Sequence, residues 1–184
     1  MQYEKLTHVE HILKRPDSYI GSVVPDVVDT WRLESEKFER TQVTIAPGLV
    51  KIFDEILVNA IDQHTLHPKK VTRIDVSWDA DAVTVRNNGD GIPIKMHDKE
   101  KVWLPELIFG HLLTSSNYDD TKERTTGGRN GYGAKLTNVF SKNFEVKVVS
   151  GGKKYTQKWQ DNIDRKSTRL NSSHVSESRM PSSA

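Results

Sequence analysis

One long stretch, APGLVKIFDEILVNAIDQ (residues 46–63), constrains the fold more than any other part of the chain. Its apolar side chains leave no wide polar face, which predicts a single helix buried within a domain. The exceptions are Lys51, Glu55, Asn59 and Asp62, which fall at i, i+4, i+8 and i+11 and form a narrow polar stripe along one side. Glu55 and Asn59 lie one turn apart, so they would present a base and a neutral oxygen ligand to the same place if the stripe faces a pocket.

The helix alone leaves two interpretations of this stripe open. A carboxylate inside an apolar helix is costly unless it faces a pocket that supplies water, a metal ion or a polar ligand. Alternatively, Lys51 and Glu55 form a surface ion pair that stabilises the helix by only about 0.2–0.5 kcal/mol, and Asn59 is tolerated beside it. Other parts of the chain must decide between a pocket and a surface.

The composition excludes several classes of protein. The chain has 184 residues, enough for one domain with a core or for a piece of a larger protein. Its 27 Lys and Arg against 25 Asp and Glu give a net charge of +2, which is too balanced to indicate nucleic-acid binding by this segment. It has no cysteine, so disulfides and thiolate metal sites are excluded. No apolar run reaches the length of a membrane span or of a signal-peptide core, so we expect no membrane partner and no export.

Local patterns predict most of the remaining elements. Thr7 and Glu10 form a T-x-x-E capping box for a short helix that runs through Lys14 and ends at Pro16. Alternating residues predict hairpins around residues 35–37, 79–81 and 151–152, the last continuing the sheet of the second, and residues 104–113 predict an amphipathic helix. His8 and His11 lie one turn apart without a third ligand, so we interpret them as surface residues rather than a metal site.

Two glycine-rich segments carry possible chemistry. The first is NNGDGIP (residues 87–93), in which Asn88-Gly89 taken in isolation predicts a hairpin turn. In the alternative interpretation, Gly89 and Gly91 let the backbone approach a flat ligand closely, and the Asn87 amide forms hydrogen bonds with the edge of that ligand. In GGRNGYGAKLTNVF (residues 127–140), clustered glycines lead into a helix near Gly133, a combination that suits phosphate binding but also a flexible linker.

The second segment matches neither of the common phosphate motifs. Ala134 stands between Gly133 and Lys135, no Ser or Thr follows the lysine, and Leu136 replaces the last glycine of a dinucleotide fingerprint. The polar, non-periodic run before it, residues 114–130, is typical of a lid or of a disordered loop.

The order of these signals resembles the GHKL ATPases, the superfamily of gyrase, heat-shock chaperone ATPases, histidine kinases and MutL. Within it, five segments resemble the ATPase domain of eukaryotic-type DNA topoisomerase II over about residues 3–162: KLTHVEHILKRPDSYIGS, KIFDEILVNAIDQ, NNGDGIP, LIFGHLLTSSNYDD and TGGRNGYGAKLTNVFS. Most members of the superfamily have Asp at the position of Asn87. The Asn of this chain instead resembles the eukaryotic-type topoisomerases.

The resemblance implies a fold and a set of ligands. The fold would be α/β (α+β), a two-layer sandwich of helices on one face of a mixed β-sheet, known as the GHKL or Bergerat fold and truncated here. The cofactors would be ATP and Mg²⁺. In the full-length enzyme the partners would be DNA and a second copy of the chain, and ATP binding would close this dimer as a gate that passes one DNA duplex through a break in another. Such an enzyme acts inside the cell, in the nucleus or wherever the DNA is handled.

The resemblance also assigns roles residue by residue. Glu55 would be the general base that activates water, and Asn59 would hold Mg²⁺. Asn87, Gly89 and Gly91 would face the adenine. Tyr3 would reach the partner's nucleotide in trans. The residues that would touch the ribose and the phosphates are Ser115, Ser116, Asn117, Gly128, Arg129, Asn130, Gly131, Tyr132, Gly133, Ala134 and Lys135.

Two features limit what these residues do by themselves. The chain stops before the second ATPase subdomain, whose lysine would contact the γ-phosphate, and before the tyrosine-bearing region that cleaves DNA, so we expect ATP binding with little turnover. The tail from about Ile163 is Ser-rich and lacks hydrophobic pattern, so we expect it to be disordered and non-native. The predicted division is an arm and short helix at 1–22, the ATPase domain at 23–162 and the tail at 163–184.

Two alternatives to a topoisomerase gate are kept. The first is another GHKL ATPase, such as a gyrase subunit or a MutL-like protein, against which the NNGDG and SSNYDD runs argue. The second is a nucleotide-binding module without turnover, against which Glu55 argues, because a pure binder needs no base there.

Overall fold

The N-terminal end of the described chain is set by the predicted capping box. The computed structural model describes residues 4–114 and 132–172. The Thr7 hydroxyl accepts a hydrogen bond from the Glu10 N–H at 3.3 Å, and the Glu10 carboxylate accepts one from the Thr7 N–H at 2.7 Å. Helix α1 (His8–Lys14) follows, and α2 (Asp17–Ile20) begins just after Pro16. The prediction of a short capped helix ending before Pro16 is confirmed.

Seven strands form three antiparallel sheets in the described part of the chain. They are β1 (Asp26–Glu34) with β2 (Lys37–Ile45), β3 (Ile74–Trp78) with β4 (Val83–Asn87), and β5 (Asn143–Ser150), β6 (Lys153–Gln160) and β7 (Arg165–Ser172) in that order. All three predicted hairpins are confirmed. The expectation that the third hairpin continues the sheet of the second is wrong for the described residues, because there β3 and β4 form a two-stranded sheet of their own and β5, β6 and β7 form a separate one. All of these strand pairs are antiparallel, whereas a mixed sheet was expected.

The long predicted helix is α3 (Pro47–Leu66), which starts with proline in its first turn, where no N–H is needed. Its complete burial was predicted wrongly. Only Gly48 and Ala60 are buried, while Leu49 is 66% and Val50 48% exposed. The reason is that α3 contacts α2, β4 and the later helix α5 (Gly133–Val139), so these elements cover only part of its circumference.

Two apolar cores hold the elements together. One lies between α1, α2 and α5 and contains Ile12, Ile20, Leu136 and Val139. The other lies on the three-stranded sheet and contains Ile94, Val146, Val148, Tyr155 and Trp159. Helix α4 (Leu104–Gly110) packs on this sheet at Gly110, where an added Cβ would lie only 2.8 Å from a ring carbon of Trp159. Helices therefore lie against strands in two layers, as predicted.

The tail forms more structure than its composition predicts. Residues 163–184 were expected to be disordered, but Arg165–Ser172 form β7, and Ile163 packs against both apolar cores. Strand β6 offers an edge whose backbone groups pair with an incoming strand whatever its side chains. One side chain adds to this pairing, since the Lys166 ammonium lies 2.5 Å from the carboxylate of the buried Glu106. The disorder prediction is wrong for this strand, and residues 173–184 lie outside the described residues.

Across the described ranges, 4–114 and 132–172, no helix combines the length and the apolar character that crossing a lipid bilayer would require.

Candidate functional site

The polar stripe of α3 meets the first residue of α5. A Cβ placed on Gly133 would lie 2.7 Å from Oε2 of Glu55 and 3.7 Å from Nδ2 of Asn59. The Glu55 side chain is 21% exposed, so its carboxylate lies at the edge of the interior rather than on an open surface. The structure thus brings together three residues that the sequence assigned to one site, although 74 or more positions separate Gly133 from the other two.

The two interpretations of the stripe turn out to be compatible. Lys51 Nζ lies 2.6 Å from Oε1 of Glu55, and the Lys51 side chain is about half exposed. The hydrogen bond that the Lys51 ammonium donates to the Glu55 carboxylate is the main cause that raises the pKa of Lys51. The ion pair of the second interpretation is present and occupies one carboxylate oxygen, while the other oxygen faces Gly133, as the first interpretation requires.

Asn59 is oriented by its own helix. Its Nδ2 donates a hydrogen bond to the backbone oxygen of Glu55 at 2.5 Å. The donor end of the amide is therefore directed at the preceding turn, and Oδ1 points away from it. An amide oxygen in this orientation is a suitable ligand for a hard cation.

The end of β4 presents Asn87, whose neighbour Asn88 fastens the turn that follows. Asn88 Oδ1 accepts hydrogen bonds from the N–H groups of Thr72 and Arg73, both at 2.9 Å. Its Nδ2 also donates to the Thr72 hydroxyl at 3.0 Å. Asn87 is exposed and donates from Nδ2 to the backbone oxygen of Asn88 at 2.9 Å. The sequence indicated a turn at Asn88-Gly89, but it did not predict that the Asn88 side chain would bind the backbone at Thr72 and Arg73.

The two glycines of this turn approach other parts of the protein closely. Gly89 has φ +113° and an added Cβ would lie 2.8 Å from Cγ2 of Val71. Gly91 has φ +69°, and an added Cβ would lie 2.5 Å from the backbone oxygen of Val149 in β5. Both glycines are therefore required by the fold itself, whether or not a ligand also approaches them.

Helix α5 is docked by three polar side chains. Lys135 Nζ donates to the backbone oxygen of Thr114 at 2.5 Å, Thr137 Oγ1 to that of Ile52 at 2.6 Å, and Asn138 Nδ2 to that of Phe109 at 2.9 Å. Burial lowers the pKa of Lys135 to about 8. Sequence reasoning missed Thr137 and Asn138, which follow the glycine motif on the inward face of the helix.

Tyr132, just before α5, belongs to an aromatic cluster with α1 and α2. Its hydroxyl lies 3.1 Å from Nε2 of His8, and the two rings meet edge to face at 5.6 Å. His11 Nδ1 lies 2.8 Å from the Tyr19 hydroxyl. Both histidines therefore contact tyrosines. Among the described residues no group of three or more His, Cys, Asp or Glu side chains is placed to hold a metal ion.

Several predicted site residues lie outside the described residues. They are Tyr3, Ser115, Ser116, Asn117, Gly128, Arg129, Asn130 and Gly131. Their roles stay predictions.

The chain matches known proteins over most of its length. The sequence model of the family "Histidine kinase-, DNA gyrase B-, and HSP90-like ATPase" matches residues 44–171. The chain is 52% identical to DNA topoisomerase 2 of Saccharomyces cerevisiae over 168 residues, covering 88% of this chain and 12% of that protein. It is 48% identical to DNA topoisomerase 2-alpha of Mus musculus over 167 residues, covering 89% of this chain and 11% of that protein.

Solved structures agree with this similarity. The crystal structure of the ATPase region of Saccharomyces cerevisiae topoisomerase II superposes with a TM-score of 0.88 at 49% identity, covering 92% of this chain and 47% of that one. The ATPase and transducer domains of DNA topoisomerase II from Balamuthia mandrillaris superpose with the same TM-score of 0.88 at 46% identity, covering 92% of this chain and 45% of that one. The chain thus spans about one ninth of the curated relatives and just under half of the solved ATPase regions. The chain belongs to the histidine kinase-, DNA gyrase B- and HSP90-like ATPases, and its fold is that of the topoisomerase II ATPase region.

Proposed function

We propose that this chain is the ATP-binding part of the N-terminal gate of a type II DNA topoisomerase. The observation that carries the proposal is the placement of the Glu55 carboxylate against the Gly133 backbone, with Asn59 one turn further along α3. These residues belong to two of the five segments that resemble the ATPase domain of eukaryotic-type topoisomerases. Identities of 48–52% to DNA topoisomerase 2 support this family over a gyrase or MutL relative.

Glu55 is suited to accept a proton from water. Its Oε1 is held by Lys51 at 2.6 Å, so the carboxylate is oriented before any ligand arrives. Its Oε2 lies on the side of Gly133, where the glycine motif would bring the phosphates. Phosphoryl transfer depends mainly on positioning and charge stabilisation, and a fixed base beside the phosphates satisfies the positioning requirement.

The residues present fit Mg²⁺ bound together with ATP. Mg²⁺ prefers oxygen ligands and usually keeps several waters and phosphate oxygens, so few protein ligands are needed. Asn59 offers one neutral oxygen, because its Nδ2 is already engaged by the Glu55 backbone. When bound, the ion would neutralise phosphate charge. Asn87, exposed at the end of β4, is the proposed contact to the adenine.

The partners of the complete enzyme belong to the same proposal. DNA and a second copy of the chain would be engaged by the full-length protein, in the nucleus or wherever its DNA is handled, with Tyr3 reaching the partner's nucleotide. Residues 1–184 by themselves would bind ATP with little turnover. A fast steady-state ATPase rate from these residues would overturn that part of the proposal.

The first test is the thermal midpoint of the chain with and without a non-hydrolysable ATP analogue and Mg²⁺. A ligand at ~100 times its dissociation constant stabilises the folded state by about 2.7 kcal/mol, which raises the midpoint clearly. We expect the shift to require Mg²⁺ and to shrink strongly in Asn59→Ala. A cooperatively unfolding chain that shows no shift under these conditions would refute nucleotide binding by these residues.

The second test separates the base from the binding site. In a full-length enzyme, Glu55→Gln keeps the shape of the side chain and removes its ability to take a proton. We expect turnover to be abolished and nucleotide affinity to be retained. Equal loss of both would mean that Glu55 has a structural role, through its pair with Lys51 and its contact with Gly133.

A further inference from the structure

Backbone carbonyl groups at and just beyond the C-terminal end of α4 accept hydrogen bonds from side chains of α5. A helix leaves its last carbonyl groups without partners inside the helix. Here Phe109 O accepts from Asn138 Nδ2 at 2.9 Å, and the chain just beyond the helix offers Thr114 O to Lys135 Nζ at 2.5 Å. Lys135 and Asn138 lie three residues apart on one face of α5, so they dock the helix as a pair.

The Lys135 ammonium is enclosed rather than displayed. The residue is only 5% exposed, and the backbone oxygen of Thr114 is its hydrogen-bond partner. Burial disfavours the charged form of the side chain, which is the cause of its lowered pKa.

Thr114 is itself held in place. Its hydroxyl lies within hydrogen-bonding distance of Leu107 O at 2.9 Å and of His111 O at 2.8 Å. The preceding residue, Leu113, has φ +59°, a left-handed conformation in which a leucine is strained. The hydroxyl and this backbone conformation together aim the Thr114 carbonyl at Lys135.

We propose that the Lys135 side chain is a positioning residue: through the Thr114 carbonyl it fixes α5 on α4, and thereby sets Gly133 against Glu55. The role assigned to Lys135 by family resemblance, wrapping the triphosphate, would then fall to its backbone and not to its ammonium. This inference rests on the proposed function, because the position of Gly133 matters for the nucleotide only if the nucleotide binds there.

Binding measurements on the 184-residue chain distinguish the two roles. The probes are ATP and ADP with Mg²⁺, titrated calorimetrically into Lys135→Met, Thr114→Val and the double variant. Thr114→Val keeps the ammonium and removes only the hydroxyl that aims the carbonyl, and Thr114→Ser, which keeps the hydroxyl, is its matched control.

For a positioning role we expect both single variants to weaken ATP and ADP by a similar factor, roughly tenfold, which is the size of losing a hydrogen bond to a charged group. The double variant should bind nucleotide no more weakly than the single variant with the lower affinity. Thr114→Ser should bind with the affinity of the unsubstituted chain. If Lys135→Met weakens ATP much more than ADP while Thr114→Val binds normally, the ammonium is a phosphate ligand and the inference is overturned.

A second readout needs no nucleotide. The amide resonance of Gly133 should move in both Lys135→Met and Thr114→Val and stay in place in Thr114→Ser. Unchanged Gly133 resonances in folded variants would overturn the inference even if affinity fell. If the unsubstituted chain binds no nucleotide, the proposed function fails, and the Gly133 resonance still decides whether Lys135 positions α5.

Discussion

Replacing Gly91 by alanine tests whether this glycine serves the fold or only a ligand. Its φ of +69° is left-handed, which costs an alanine about 1–2 kcal/mol. The new Cβ would also lie 2.5 Å from the backbone oxygen of Val149 in β5, a strand that is paired with β6. Overpacking of this kind costs about 1–3 kcal/mol. We therefore expect Gly91→Ala to lower the free energy of unfolding by about 2–5 kcal/mol, a large share of the roughly 5–15 kcal/mol of a typical domain.

Gly152 provides a matched control for this prediction. Its φ is +68°, nearly the same as that of Gly91, but an added Cβ would meet nothing within 4 Å. Gly152→Ala should therefore cost only the conformational strain, about 1–2 kcal/mol. Urea unfolding of both variants without nucleotide measures the difference, which isolates the contact with Val149. Equal costs for the two variants would refute the reasoning, and Gly91 would then be needed chiefly for its backbone conformation or for a ligand.

Two further predictions concern buried charges. The pKa of Lys135 is about 8 in the folded chain and 10.5 in the unfolded chain. Between these values the folded chain binds fewer protons than the unfolded chain, so the free energy of unfolding should rise from pH 8 to pH 10. Urea unfolding should show a rise of roughly 2 kcal/mol that Lys135→Met lacks; the same rise in both would contradict the assignment. Lys166→Ala should lower the free energy of unfolding by about 2 kcal/mol, because it leaves the buried Glu106 carboxylate without its ammonium. The control is the exposed Lys158, whose ammonium lies 3.6 Å from a carboxylate oxygen of Glu145. Lys158→Ala should change the free energy of unfolding by less than about 0.5 kcal/mol. Equal effects at Lys166 and Lys158 would show that β7 is not anchored by this pair.

Elements whose causes are local were predicted correctly. The capping box of α1 needs only Thr7 and Glu10, which lie within one turn of helix. Each predicted hairpin needs only alternation and a short turn, although β3 and β4 pair from Trp78 and Val83 across residues 79–82, a connection one residue longer than the expected 79–81 turn. Residues a few positions apart stay close whatever the rest of the chain does. Interactions between them can therefore be recognised in a single sequence.

Elements that depend on distant neighbours were predicted less well. The apolar character of α3 indicated full burial, but burial depends on which elements cover the helix, and Leu49 and Val50 remain exposed. The tail looked unable to fold because its side chains carry no hydrophobic pattern. Its strand nevertheless forms, because the backbone edge of β6 and the carboxylate of Glu106 come from other parts of the chain.

The sequence by itself determined the family, the local elements and the identity of the side chains that carry the proposed chemistry, because these depend on residue types and short spacings. Glu55 and Asn59 are one turn apart in any helix. Only the tertiary structure decided that Gly133 lies against Glu55, that the ammonium of Lys135 is committed to Thr114, and that Gly91 is pressed against β5. Each of these contacts joins residues at least 21 positions apart, and their packing is selected by the summed burial and hydrogen bonding of the whole domain rather than by any one segment.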